Sequence, residues 1–325
     1  MIVRFFAFVT CALMLIGLSP VGAQEYPNKV ITVIVPFAAG GPTDAVARLL
    51  SLPMSKIVGT QMIVENVGGA GGTIGVNRVA KAAPDGYTLL LHHIGMSTAP
   101  ALYRKLPYDA INDFEPIGLI NETPMTLVAK KDFPAKDLKE VIAYLKANKD
   151  KINLANAGLG AASHLCGMLF MSAIQTDLTT VPYNGTAPAM NDLLGGQVDI
   201  MCDQTTNTTA QIKGEKIKVY GVTTPKRIPS LPNVPTMDEA GLKGFEVSVW
   251  HGLYAPKGTP HAVIDKLTKA LQAALKDATL RQRFADLGAD TVAESRATPD
   301  ALRKHLKAEI DKWSPIIKKA GVYAD

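Results

Sequence analysis

Cysteine is scarce in this chain: three occur in 325 residues, at positions 11, 166 and 202, and none sits at the C-x-x-C spacing of a zinc or iron–sulfur site. Aromatic residues are also few, at 6% of the chain with two tryptophans, and the 34 Lys and Arg are scattered. A nucleic-acid groove needs clustered basic residues interleaved with aromatics, so no nucleic-acid partner is expected. The phosphate-binding G-x-x-x-x-G-K-[ST] loop is missing, and Gly69-Ala70-Gly71 leads to Ile74 where a dinucleotide loop needs glycine. No serine stands in a G-x-S-x-G elbow; Gly95-Met96-Ser97-Thr98-Ala99 lacks the second glycine. Ser163-His164 and His92-His93 are sequence neighbours whose side chains diverge, which suits neither a nucleophile–base pair nor a metal chelate. Neither a cofactor nor a metal is expected. The net charge of +5 gives a mild positive field that suits a small anion.

One long apolar run is present, and it lies at the start. Arg4 precedes a run from Phe5 to Leu18, Ser19-Pro20 breaks it, and Val21-Gly22-Ala23 places small residues at a cleavage position. The run is shorter than the roughly 20 residues of a membrane span. It reads as a signal peptide over residues 1–23, cut after Ala23, which places the mature chain in the periplasm. Cys11 falls in the leader without a lipobox. Cys166 and Cys202 remain, and in an oxidising compartment an even pair invites a disulfide, with two buried thiols as the alternative.

The rest alternates short β-rich runs with amphipathic stretches, the pattern of parallel-sheet α/β domains. Strands are expected at 29–35, 61–65 and 88–91. A helix begins near Thr43, with Val46, Leu49, Leu50, Met54 and Ile57 on one face, and Pro53 should kink or break it. A second unit starts near Thr123, with strands at 127–129, 152–155, around Val181, at 198–201 and at 219–223. After Phe245 the chain returns with a strand at 247–254 and three helices. The boundaries expected are therefore 24–122 for the first part of lobe one, 123–246 for lobe two and 247–325 for the return to lobe one. Two crossings, near 120–126 and 245–255, make a hinge, and a hinge between lobes makes a cleft.

Three loops follow strands and open helices: Pro36 to Asp44, Glu65 to Gly75, and Asn156 to His164. All are rich in glycine and small residues. Such corners leave backbone N–H groups and the positive end of a helix dipole aimed at one spot, ready for an anion. Tight turns alone would explain one such loop; three across both lobes point to binding. Asp203, just past the strand at 198–201, reads as a strand-end carboxylate or helix cap, and its neighbours Gln204, Thr205 and Thr206 make it a candidate ligand contact.

At these loops the sequence resembles the Bug-type substrate-binding receptors of tripartite tricarboxylate transporters. The resemblance rests on P-F-A-A-G-G-P-T-D (36–44), the segments 65–75 and Ala83-Pro84-Asp85-Gly86-Tyr87, Val181-Pro182-Tyr183, D-L-L-G-G-Q-V-D (192–199) and 231–244. It covers essentially the whole mature chain in order. It implies a type II periplasmic-binding-protein fold, two Rossmann-like α/β lobes joined by two crossing strands. The implied ligand is a small organic acid and the implied partners are membrane permease subunits, with a monomer as the default.

The resemblance also carries site residues. Phe37, Ala39, Gly40, Gly41, Thr43, Asp44, Gly72 and Thr73 would hold one carboxylate through backbone amides and water. His93 would line the cleft. Gly158, Gly160, Ala161, Ser163, His164, Tyr183, Asn184, Gly185, Thr186 and Asp203 would read the rest of the ligand. A bridge between Cys166 and Cys202 would tie the helix after the third loop to the strand before Asp203. The rival readings are a sensor subunit for a signalling receptor, and a secreted hydrolase or isomerase using Asp44, His92, His93 or Asp203.

Overall fold

The computed structural model describes residues 26–321 and 323–324. The leader expected at 1–23, with Cys11, lies outside the described residues. The first lobe opens with β1 (Ile31–Val35), α1 (Pro42–Val58), β2 (Met62–Asn66), α2 (Thr73–Ala80), β3 (Thr88–His93) and α3 (Gly95–Leu102). β4 (Phe114–Lys130) then runs into the second lobe, which continues through α4 (Leu138–Asn148), β5 (Asn153–Asn156), α5 (Ala162–Ile174), β6 (Thr179–Pro182), α6 (Thr186–Leu194), β7 (Ile200–Gln204), α7 (Thr205–Lys213) and β8 (Ile217–Val222). The chain returns in β9 (Ser248–Pro256) and finishes with α8 (His261–Ala274), α9 (Ala278–Asp286), β10 (Asp290–Thr291) and α10 (Pro299–Ala320).

β4 is the spine. From Phe114 to Pro124 it pairs antiparallel with β9, and from Met125 to Lys130 it lies between β7 and β8. On the first side the order runs β2-β1-β3-β9-β4, and on the second β4-β7-β5-β6. Strands β1, β2 and β3 are mutually parallel, as are β5, β6 and β7. Covered on both faces, such strands read as continuous apolar runs, as Ile31–Val35 does. The turnover point between the two sheets is stitched by Thr223, which is 1% exposed. Its hydroxyl accepts from the Met125 N–H at 2.9 Å and donates to the Val247 carbonyl at 2.6 Å, so one side chain clasps both crossing segments.

Cys166 on α5 and Cys202 on β7 are joined in a disulfide with Cα atoms 5.9 Å apart. Several sequence expectations need correction. α1 runs unbroken through Pro53; its buried stripe of Val46, Ala47, Leu50, Met54 and Val58 continues across the proline, and that packing outweighs one lost backbone bond. Ile57, assigned to that stripe, is 45% exposed. Asp203 is inside β7 rather than beyond it.

Candidate functional site

Four helices begin at the same place, two sheets meeting around them. α1 starts from Gly41, α5 from Ala161, α6 from Gly185 and α7 from Gln204, and none of these N-caps accepts a hydrogen bond through a side chain. The first N–H groups of a helix have no partner within it, so each of these starts presents unused donors and a partial positive charge. Between them lies a small pocket lined by Phe37, Gly41, Pro42, Thr43, His93, Ala157, Ala162, Ser163, Thr186, Asp203 and Gln204.

The polar side chains of the loops mostly shape backbone. Asp44 accepts from Gly40 N–H and from Arg48 Nε at 2.9 Å, and Asn66 Nδ2 bonds its other oxygen at 3.0 Å. Burial raises its pKa, but the Arg48, Gly40 and Asn66 donors outweigh this and leave it lowered. Ser163 Oγ accepts from Ala157 N–H at 2.8 Å, and His164 Nδ1 accepts from Gly160 N–H at 3.3 Å. Each of the two is turned to its own loop. Burial holds the His164 pKa down at about 4.

His93 stacks on Phe37 with ring centroids 4.6 Å apart and accepts from Gly95 N–H through Nδ1 at 2.9 Å. That bond assigns the neutral ring proton to Nε2. Burial lowers its pKa to about 3, so it serves as a neutral donor. His92 and His251 stand behind it, fully buried and also held neutral by burial.

Asp203 is the exception among these carboxylates. It is 1% exposed; Asn207 Nδ2 bonds its Oδ2 at 2.6 Å, while Oδ1 has no partner. Burial pushes its pKa up to about 6, against the lowering effect of Asn207, the Gln204 N–H and the nearby Thr186 hydroxyl. Thr186 Oγ1 is itself without a hydrogen bond of good geometry, as is Gln204 Oε1.

The lobes are in contact around this pocket. Ala38 N–H donates to the Asn184 carbonyl at 2.9 Å, Thr98 Oγ1 to the Gly160 carbonyl at 2.8 Å, and Tyr103 OH lies 3.0 Å from the Leu159 carbonyl. Gly71, at φ +60°, packs so closely that an added Cβ would stand 1.8 Å from the Leu159 oxygen. The arrangement is a closed one.

Of the residues singled out from sequence, Phe37, Gly41, Thr43, His93, Ser163, Thr186 and Asp203 line the pocket. Ala39, Gly40, Gly72, Gly158, Gly160, Ala161, Asn184 and Gly185 belong to the loops around it, and Asp44, Thr73 and His164 to the first turns of α1, α2 and α5. Tyr183 points to Asp192 Oδ2 at 2.6 Å. Pro42, Ala157, Ala162 and Gln204 also line it and were not in the expected set. A signal for Gln204 existed, because it directly follows Asp203, a candidate contact.

Comparison with known proteins gives a consistent result. The profile of the tripartite tricarboxylate transporter family receptor matches residues 46–322. A UPF0065 protein of Agrobacterium vitis is 50% identical over 98% of this chain and 92% of its own length; BugT of Bordetella pertussis is 34% identical over 93% of each. Among solved structures, the periplasmic binding protein BugD is 56% identical with a TM-score of 0.90, covering 92% of this chain and 99% of that one. MatC of Rhodopseudomonas palustris, with bound malate, is 43% identical with a TM-score of 0.87 over 90% of this chain and 100% of that one. Another R. palustris protein, with adipate, is 31% identical with a TM-score of 0.87 over 92% and 99%. The expected two-lobed periplasmic-binding-protein fold is the fold observed.

Proposed function

The chain belongs to the tripartite tricarboxylate transporter receptor family, and on that premise we propose that it captures a small organic acid between its lobes and delivers it to membrane permease subunits. The observation that carries the reading is the convergence of four helix starts without side-chain caps, α1 from the first lobe and α5, α6 and α7 from the second, with the crevice between them closed by direct lobe contacts. Backbone N–H groups at Gly41, Thr43, Ala162, Ser163 and Thr186 are the proposed carboxylate donors, with His93 Nε2–H beside them. Gly40, Gly72, Thr73, Gly158, Gly160, Ala161 and Gly185 would shape the loops that present them. Malate in MatC and adipate in the R. palustris relative support a carboxylate as the ligand class. Closure follows from bridging: ligand bound to both lobes selects the closed form, which the permease would recognise.

The reading places the mature chain in the periplasm after cleavage of residues 1–23. Among the described residues no helix is long and apolar enough to cross a membrane. The test is a panel of organic acids added to purified protein stripped of ligand by unfolding and refolding. A ligand at 100 times its dissociation constant should stabilise the fold by about 2.7 kcal/mol. A cooperative melt that no acid shifts would sink the reading.

A further inference from the structure

A carboxylate inside an anion-receiving pocket is an anomaly, and Asp203 is one. Every acid that enters a space lined by helix starts meets this buried side chain, whose Oδ2 is held by Asn207 and whose Oδ1 has no donor. A buried acceptor without a donor costs free energy that a ligand can recover. Gln204 Oε1, the next residue and also in the lining, lacks a donor as well. Thr186 brings a single hydroxyl hydrogen, which cannot serve both oxygens. The second-lobe wall therefore asks for hydrogens, whereas the helix starts ask for negative charge. No plain alkane diacid, fully ionised, meets both demands.

We propose that Asp203, aided by Gln204, is a specificity-determining residue that selects acids bearing a hydrogen-bond donor, a hydroxyl or an ammonium group, beside their carboxylates. This rests on the organic-acid reading above and narrows it. Hydroxyl and ammonium share the chemistry that a lone carboxylate oxygen reads. The raised pKa of Asp203 fits the same picture, since burial without a full set of donors is its main cause.

The experiment compares succinate, malate and aspartate, which share a four-carbon diacid frame and differ in carrying nothing, a hydroxyl or an ammonium. Calorimetric titration of the ligand-stripped protein should show malate, aspartate or both bound about tenfold or more tightly than succinate. The stronger of the two identifies which donor is read. In Asp203→Asn, whose amide can itself donate, that preference should shrink to within about threefold, with succinate gaining. Succinate binding less than about tenfold more weakly than both partners in the unaltered protein would overturn the inference, as would Asp203→Asn keeping the full preference. The comparison in the unaltered protein stands even if the variant does not fold. If none of the three acids bound, nor any acid of the wider panel, the organic-acid reading itself would fall; binding without discrimination removes the narrower claim alone.

Discussion

α4, α9 and α10 begin away from the pocket, and there Asp137, Asp277 and Thr298 each accept a first-turn N–H. α1, α5, α6 and α7 begin at the pocket, and there glycine, alanine or a glutamine whose side chain makes no cap leaves the N–H groups open. A side-chain cap is worth about 1 kcal/mol, so the pocket gives up local stability at each of its helix starts. α2, α3 and α8, which begin at Gly72, Ile94 and Pro260, also lack side-chain caps, so capping is not general among the other helices. The contrast teaches that the pocket is ringed by helix starts that forgo a stabilising feature used at α4, α9 and α10. Part of the loss is offset in α5 by the Cys166–Cys202 bridge, which pins its second turn to β7.

The sharpest way to break the contrast is to cap a pocket helix. Gly41 has φ −84°, a conformation open to other residues, and an added Cβ would meet nothing closer than 3.4 Å. Gly41→Asp should therefore fold, with an unchanged or slightly raised melting temperature. Its carboxylate would occupy the α1 donors and repel an incoming anion, so titration should show binding weakened at least about a thousandfold, roughly 4 kcal/mol. Retained affinity would mean that the α1 start is not an anion site.

Removing the compensating bridge tests the other half. The 36-residue separation between Cys166 and Cys202 gives about 3–4 kcal/mol in the chain-entropy model. A Cys166→Ser/Cys202→Ser variant should lose about that much in denaturant melts, and α5 amides should exchange faster than those of α4.

Titration of Asp203 comes next. Its folded pKa is about 6 against 3.8 for the ordinary group, so the folded protein keeps a proton that the unfolded chain has released. Stability from this group falls as pH rises from about 4 to about 6, by on the order of 3 kcal/mol. His93 and His164, held at about 3 and about 4, act oppositely, eroding stability as pH falls below about 6.5. The difference in stability between Asp203→Asn and the unaltered protein isolates the first effect. It should be small near pH 4 and favour the variant above about pH 6; a flat difference would contradict the burial argument. The smallest change is expected on the outside, where Asp137→Ala or Asp277→Ala should cost about 1 kcal/mol and leave binding untouched.

The loops were legible because their chemistry is local: a strand, glycines and small residues, then a helix. What Asp44 and Asp203 do with their carboxylates was not. Both looked like ligand contacts, but Asn66 on β2 and Arg48 one turn along consume Asp44, and that depends on how strands pair. Asp203 is left half-satisfied by the register of β7 against β4, opposite Thr126. Much of β4 went unread because Pro116, Gly118 and Pro124 are poor strand formers; they sit where its register with β9 slips or where the partner changes, so tertiary pairing overrides propensity. The polar, threonine-rich α7 and the Gly95- and Pro100-containing α3 were missed for the matching reason in helices.

The contacts that hold the lobes together have a consequence for how such a protein can change. Ala38, Thr98 and Tyr103 on one side all reach main-chain oxygens on the other, at Asn184, Gly160 and Leu159. A carbonyl is present whatever side chain the position carries. The second lobe can therefore exchange the side chains at Asn184 and Leu159, and rewrite Thr186, Asp203 and Gln204, while the clasp keeps its grip. The pocket lining and the clasp therefore rest on different parts of the chain, side chains for the one and main-chain carbonyls for the other.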